Sequence, residues 1–363
     1  MTMLDADRRD RLRLIRTPQV GPVAYRQLLV RFGNATRALE ALPELAARGG
    51  GRRFKSADGR AVEAEIASVA RLGAEYIFLG DPDYPPLLAR AEAPPPVLIA
   101  RGAPGLAAGR NVAIVGARNA SAAACRLARE LSHALAEAGI TVVSGLARGI
   151  DTAAHLGAGP SRTVAVIGAG IDVVFPSENA ALQERIAREG LLLTELPPGS
   201  EPLARHFPAR NRIIAWMSLG TVVVEAAPRS GSLLTARLAG EEGREVMAIP
   251  GFPADPRSQG CNALIREGAT LVQSAQDIVE AIGAFDSRAL RSPGSDYAAQ
   301  APGIDLNESE RSRVLGLMSF SPVAVDELIR QSHLAPALVQ TALLELEIAG
   351  RLQRHAGGRV SLI

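Results

Sequence analysis

Apolar residues follow two different rhythms along this chain. Over residues 1–76 they recur at helical spacing, within 10–16, 23–32, 35–42 and 61–72, which predicts an N-terminal helical domain. Inside it, Val20-Gly21-Pro22-Val23-Ala24-Tyr25-Arg26-Gln27-Leu28-Leu29 has the form of the turn and second helix of a helix–hairpin–helix, so the domain is SAM-like or helix–hairpin–helix-like. That motif grips a backbone with turn amides. Pro22 removes one such amide and suits the first position of a packed helix, which favours a packing role.

From residue 111 to about 283 the rhythm changes to strand, glycine turn, helix, repeated. Continuous apolar runs at 112–115, 141–143, 164–167, 191–194, 221–224, 245–249 and 270–272 read as strands buried on both faces. Helical stretches at 122–138, 180–188, 233–242 and 275–282 separate them. The pattern predicts an α/β domain over 77–285 with a Rossmann-like, doubly wound and mainly parallel sheet. Its lead-in carries extended, proline-rich segments at 81–86 and 94–96 and a strand at 97–100. Residues 286–303 lack periodicity and read as a linker. Residues 304–363 show helices at 309–318, 325–331 and 335–350, then two short strands flanking Gly357-Gly358. Three helices and a hairpin is a winged-helix-like order.

Composition narrows the classes. At 363 residues, 47% hydrophobic and 21% charged, the chain is of globular type with two or three domains. A net charge of +2 announces no nucleic-acid binder by bulk field, so any basic surface must come from local clustering. All 40 basic residues except Lys55 are arginine; the guanidinium fork suits phosphate, but an arginine-rich proteome gives the same bias. Cys125 and Cys261 cannot form a disulfide framework, no apolar run approaches a membrane span, and residues 1–16 lack a signal-peptide core. The expected location is cytoplasmic.

The chemistry centres on Thr141-Val142-Val143-Ser144-Gly145-Leu146-Ala147-Arg148-Gly149-Ile150-Asp151. A strand runs into a glycine-bracketed turn holding one arginine, and a helix follows, which is an arrangement suited to anions. The plainer reading is a tight turn in which Asp151 caps the helix. Four more strand ends share the character: Val115-Gly116-Ala117-Arg118, Gly168-Ala169-Gly170, Arg229-Ser230-Gly231-Ser232 and Pro250-Gly251. Ligands of open α/β sheets bind beyond the carboxyl ends of the strands, so these turns are expected to converge there. The segment 207–214 adds Arg210, Asn211 and Arg212 near a helix start. Gly168-x-Gly170-x-x-Val173 lacks the third glycine of a dinucleotide fingerprint, and no Gly-Lys-Ser/Thr loop exists, so no cofactor is expected. Asp151 and His155, one turn apart, are too few for a metal set and read as a cap and a packed histidine. Ser144 is not in a nucleophile elbow, and neither cysteine has an activating base. No catalytic residue is assigned.

Taken together, VAIVGAR (112–118), SGLARGID (144–151), VAVIGAGIDVVFPSEN (164–179), FPARNRIIA (207–215), VVVEAAPRSGSLLTA (222–236) and IPG (249–251) resemble the DNA-processing protein A family (DprA, also called Smf), in that family's order over roughly 140 residues. The resemblance implies a non-enzymatic recombination mediator: a sequence-independent single-stranded DNA binder that loads RecA recombinase during natural transformation and works as a homodimer through its α/β domain. Motif by motif it implies DNA contacts at Arg118, Ser144, Gly145, Arg148, Gly168, Gly170, Arg210, Asn211 and Arg212, and the same turns bring in Gly116, Gly149, Ser230, Gly231 and Ser232. Two departures stand out: Ala117 where the family usually has serine, and Ala122-Ala123-Ala124 where a bulky polar residue with glycine is common. Turn amides and arginines are expected to hold consecutive phosphates, with Phe175 and Phe207 either stacking bases or packing in the core. The third tail helix carries Glu345 and Glu347 and no arginine, so the tail is not expected to read duplex sequence. The alternative is a Rossmann-type phosphoribohydrolase acting on a nucleoside monophosphate, with Glu225 as its carboxylate. A metal nuclease lacks clustered carboxylates.

Overall fold

The computed structural model describes residues 4–51, 54–289, 306–355 and 357–363. Helices α1 (Ala6–Arg16), α2 (Pro22–Phe32) and α3 (Ala35–Arg48) open the chain. Each begins on the residue type that its unpaired first-turn amides need. The Asp5 carboxylate accepts from the Arg8 amide at 2.8 Å, Pro22 takes the first position of α2, and Asn34 accepts from the Arg37 amide at 2.9 Å. Helix α4 (Gly59–Arg71) follows.

Strand β1 (Glu75–Phe78), the short α5 (Pro86–Ala89) and β2 (Val97–Gly102) lead into the repeating part. There β3 (Asn111–Gly116), α6 (Ala122–Glu137), β4 (Thr141–Ser144), α7 (Ile150–Ala158), β5 (Thr163–Val166), α8 (Ala180–Glu189) and β6 (Leu191–Thr194) form the first half. Helix α9 (His206–Trp216) crosses to β7 (Gly220–Val224), α10 (Gly231–Glu241), β8 (Glu245–Ala248), α11 (Gln259–Arg266), β9 (Thr270–Leu271) and α12 (Ala275–Ala289). The sheet order is β1-β2-β6-β5-β4-β3-β7-β8-β9. From β6 across to β9 every pairing is parallel, while β2 lies antiparallel to both β1 and β6. The doubly wound, mainly parallel sheet read from the apolar runs is the one that forms.

Its strands do not alternate in polarity because both faces are covered. Val112 and Ile114 pack with Ala128, Leu135 and Ile150 on one side, and Ala113 and Val115 with Ile213, Ile214 and Ala236 on the other. Three local expectations change. The helical reading of residues 1–76 ends early, because Glu75–Phe78 joins the sheet as β1; four residues are too short a run to announce a strand. Helix α11 was masked in the sequence by Gly260 and Asn262, both poor helix formers. Residues 286–289 complete α12, and the rest of the expected linker, 290–303, lies outside the described residues.

The tail has the winged-helix order: α13 (Glu308–Gly316), β10 (Val323–Ala324), α14 (Val325–Ser332), α15 (Pro336–Ile348), β11 (Leu352–His355) and β12 (Arg359–Leu362). Asn307 and Glu310 start α13 with a reciprocal capping box, and the strands align as β10-β12-β11. The chain divides into two compact units. One spans 67–293; the other combines 1–66 with 294–363. The first and last parts of the sequence thus share one unit.

Candidate nucleic-acid interface

The turn after β4 is held from below by its own helix. The buried Asp151 carboxylate accepts from the amides of Gly145 at 3.1 Å and Ala147 at 3.3 Å. His155 Nε2 accepts from the Leu146 amide at 3.3 Å, and its Nδ1 lies 2.7 Å from Thr163 Oγ1, a hydroxyl that donates to the Val142 carbonyl. This pattern requires a neutral imidazole protonated on Nδ1. Burial holds its pKa down to about 3, with the Arg210 guanidinium adding to the effect. Burial pushes the Asp151 carboxyl up, opposed by Arg210 and by the two amides.

These contacts correct one expectation. The amides of Gly145, Leu146 and Ala147 do not face an external phosphate, because Asp151 and His155 already take them. The carboxylate stands in the first turn of α7, but it does not cap that helix: the cap position is Gly149, and Asp151 braces the preceding turn. Those three amides are spoken for, and the turn offers the Arg148 side chain to the space beyond it.

That charge borders a cavity of about 310 Å³. Arg118 comes from the loop after β3, Arg148 from the turn after β4, Gly168 and Phe175 from the loop after β5, and Phe207 and Arg210 from α9. Arg210 is 6% exposed, and its Nη1 donates to the Val166 carbonyl at 3.1 Å. Burial lowers its pKa to about 10, against the pull of Asp151, so it is a cation at neutral pH. Its Nε is buried without a hydrogen-bond partner.

Gly145 explains how so large a group fits. A Cβ there would stand 1.4 Å from Arg210 Nη1. Gly149 has φ +74, and a Cβ would lie 2.3 Å from the Ala117 carbonyl oxygen, so the β4 turn closes on the β3 loop only with glycine. Gly116 is closed in the same way against Val224, and Gly170 against Gly199. The glycines act through close packing.

Two aromatic rings join Ile167, Val173 and Pro202 in the apolar part of the cavity. Phe175, 43% exposed, lies 5.7 Å from Phe207 between centroids, and the Arg118 guanidinium sits 5.3 Å from the Phe207 ring centre. Exposed Arg148 pairs with Glu178 at 3.0 Å. The following residue, Asn179, donates to the Leu146 carbonyl at 2.9 Å and bonds Thr152, tying the Phe175 loop to the Arg148 turn. Sequence reasoning had not singled out Glu178 or Asn179. Their only signal was a place in the block that also carries Phe175.

Other expected positions lie apart from the cavity. Ser144 is fully buried and donates to the Ile114 carbonyl at 2.7 Å, so its hydroxyl fastens β4 to β3 and does not face a ligand. Arg212 is likewise turned inward. It pairs with Glu195, donates to the Ala93 carbonyl at 3.0 Å and lies over Trp216. Asn211 is adjacent to the β7 end, donating to the Gly231 carbonyl at 3.4 Å; there Ser230 caps α10 and bonds Ser232. The strand-end turns therefore form two groups. Those after β3, β4 and β5 meet at the cavity with α9, while 230–232 and 250–251 lie outside its lining.

Glu225, in the left-handed region at φ +51, accepts from the Ser121 amide at 2.7 Å and fixes the start of α6. Burial pushes the Cys261 thiol up to about 11, away from thiolate chemistry. Among the described residues no group of three or more His, Cys, Asp or Glu is placed to hold a metal ion, and no helix is long and apolar enough to cross a membrane.

Comparison with known proteins bears on this geometry. Residues 75–283 match the family model of DNA recombination-mediator protein A, residues 5–68 that of the DprA-like N-terminal HHH domain, and residues 298–358 that of the DprA winged helix domain. The chain is 37% identical over 320 residues to protein Smf of Synechocystis, spanning 78% of this chain and 79% of that protein. It is 50% identical over 171 residues to DNA processing protein DprA of Streptococcus pneumoniae, 47% of this chain and 60% of that one. Among solved structures it is similar to DNA processing protein A of Streptococcus pneumoniae, with a TM-score of 0.63 and 36% identity over 77% of this chain and 98% of that chain. It is also similar to the Helicobacter pylori protein, in a structure concerned with that protein's unique single-stranded DNA binding mode. There the TM-score is 0.53 and the identity 28%, over 59% of this chain and 97% of that chain.

Proposed function

The chain belongs to the DNA recombination-mediator protein A family, and on that footing we propose that it binds single-stranded DNA without regard to sequence and loads RecA recombinase onto it. The observation that carries the reading is the cavity at the strand ends, where Arg118, Arg148 and Arg210 surround Phe175 and Phe207. Guanidinium groups attract phosphates of any sequence, and a ring face stacks on any base. In a duplex the bases are paired and stacked inside, out of reach of such a cavity, so the arrangement favours a single strand. Asp151 keeps the buried Arg210 charge tolerable at the cavity. Asn211, Ser230, Gly231 and Ser232 extend the route for the strand past the β7 end. Gly116, Gly149, Gly168 and Gly170 shape the loops that form it.

RecA loading on incoming DNA in natural transformation, a homodimer through the Rossmann-like domain, cytoplasmic location and the lack of catalysis all belong to this proposal, as what the family resemblance implies. The phosphoribohydrolase alternative is less favoured, because Glu225 is engaged with the Ser121 amide and does not line the cavity.

Fluorescence anisotropy with single- and double-stranded oligonucleotides over a salt series tests the proposal. Single strands should bind more tightly whatever their sequence, and Arg148→Ala should flatten log K against log salt by about 0.7 per lost phosphate contact. Arg210→Lys retains a charge beside Asp151 and should weaken binding while the protein stays folded. Unchanged slope in Arg148→Ala together with unchanged affinity in Arg210→Lys would refute the assignment.

A further inference from the structure

The third helix of a winged helix is the element that enters the major groove in DNA-reading members of that fold. Here α15 is enclosed. One face, with Val339, Ala342, Leu343 and Leu346, fills the core of the C-terminal domain itself. A second face carries Gln340, Leu344, Ile348 and, beyond the helix end, Arg351, spaced so that they fall on one side. Leu344 and Ile348, each 2% exposed, complete the core made by Leu14, Tyr25, Leu28 and Leu42 of the N-terminal helices. Gln27 donates to Gln340 at 2.8 Å, and Arg351 donates to the Gly49 carbonyl at 3.1 Å.

The N-terminal side is shaped to receive this helix. Gly49 has an ordinary backbone, φ −73, yet a Cβ there would stand 2.1 Å from the Glu345 carbonyl oxygen. The glycine is required by the approach of α15 and not by its own conformation. The acidic residues of α15 point the same way. Glu345 is fully buried and pairs with Arg311 at 2.8 Å, and Glu347 pairs with Arg354 at 2.7 Å. Burial pushes the Glu347 carboxyl up, so this charge is an internal one.

We propose that the C-terminal winged helix of this chain is a protein-docking module whose partner is the chain's own N-terminal helical segment, and that α15 is thereby unavailable to duplex DNA. The inference stands apart from the single-strand reading, since none of its residues lines the cavity.

Thiol labelling of the full chain tests it in a Cys125→Ala background. Leu344→Cys should react on the order of 100-fold more slowly than Gln331→Cys on the exposed face of α14, the protection expected where reaction requires local opening. Adding Gly49→Ala should release position 344 and leave Leu343→Cys, inside the tail's own core, protected. Arg351→Ala, which removes the guanidinium held at Gly49 and Gly50, should accelerate position 344 to a lesser degree. Rapid labelling of Leu344→Cys without the second change, no acceleration by Gly49→Ala, or equal acceleration at 343 and 344 in both variants would each overturn the docking. Duplexes of different sequence should bind the full chain and Gly49→Ala within about twofold of one another; discrimination approaching the cost of one mismatched base pair, about tenfold, would overturn the assignment against duplex reading.

Discussion

Arg210 shows how one residue's setting decides its use. An arginine at 6% exposure needs an internal counter-charge and space; Asp151 and Gly145 supply the two. Gly145→Ala inserts a methyl where Nη1 now lies, so Arg210 must shift. Single-strand affinity should fall by about tenfold, roughly the 1.4 kcal/mol of one weakened charged contact, with a smaller drop in Tm. Anisotropy and thermal melting measure both. Glu178 is the nearest rival to a phosphate for Arg148. Glu178→Gln should tighten single-strand binding about twofold to threefold at low salt, and the gain should fade as salt screens this exposed pair. His155 gives a pH prediction. Its folded pKa, about 3, lies below the unfolded value of 6.5, so the unfolded chain takes up the proton first. The stability it contributes is present above pH 6.5 and is lost as pH falls from there toward 3; by pH 4.5 the loss is roughly 2–3 kcal/mol. Asp151, raised, acts in the opposite sense from its ordinary value upward. Urea titrations should therefore show a shallower acid loss in His155→Gln than in the parent chain.

Among the elements, α7 and α15 both depart from the role their position suggests. The N-terminus of α7 follows a glycine turn, the usual seat of a bound phosphate, but the second residue of the helix is an aspartate that turns back on the turn amides. Through Asp151 and His155 the helix braces the loop that carries Arg148. Helix α15 occupies the reading position of its fold, yet Leu344 and Ile348 place it against a second core. In both cases a single residue type, legible in sequence as a charge or an apolar side chain in an unexpected place, was the clue. Asp151 reads in the sequence as a helix cap, but the cap position is Gly149 and the Asp151 carboxylate holds the turn amides that precede the helix. Glu345 and Glu347 argued against duplex reading, and both are internal ion-pair partners.

At the scale of the whole chain, two compact units divide the work: 67–293 carries the cavity, and 1–66 with 294–363 carries the docked helices. The sheet was legible because a strand buried on both faces must be apolar throughout, and the helices of the parallel crossovers must be amphipathic. Those are local constraints, visible in a window of ten residues. The blocks around Gly116, Ser144 and Gly168 were legible as a set because a parallel sheet puts every strand's carboxyl end at one edge. Side-chain direction was not. Arg210 and Arg212 are two positions apart on one helix, and only the packing of α9 sends one to the cavity and the other to Glu195 and Trp216. The amides after β4 looked free in sequence because their acceptors, Asp151 and His155, reach them only once α7 folds back beneath the turn. Local patterning determined which elements exist and which edge bears the charge. Tertiary packing decided which amides and arginines were already taken, because a hydrogen bond is settled by distance in space and not by separation along the chain.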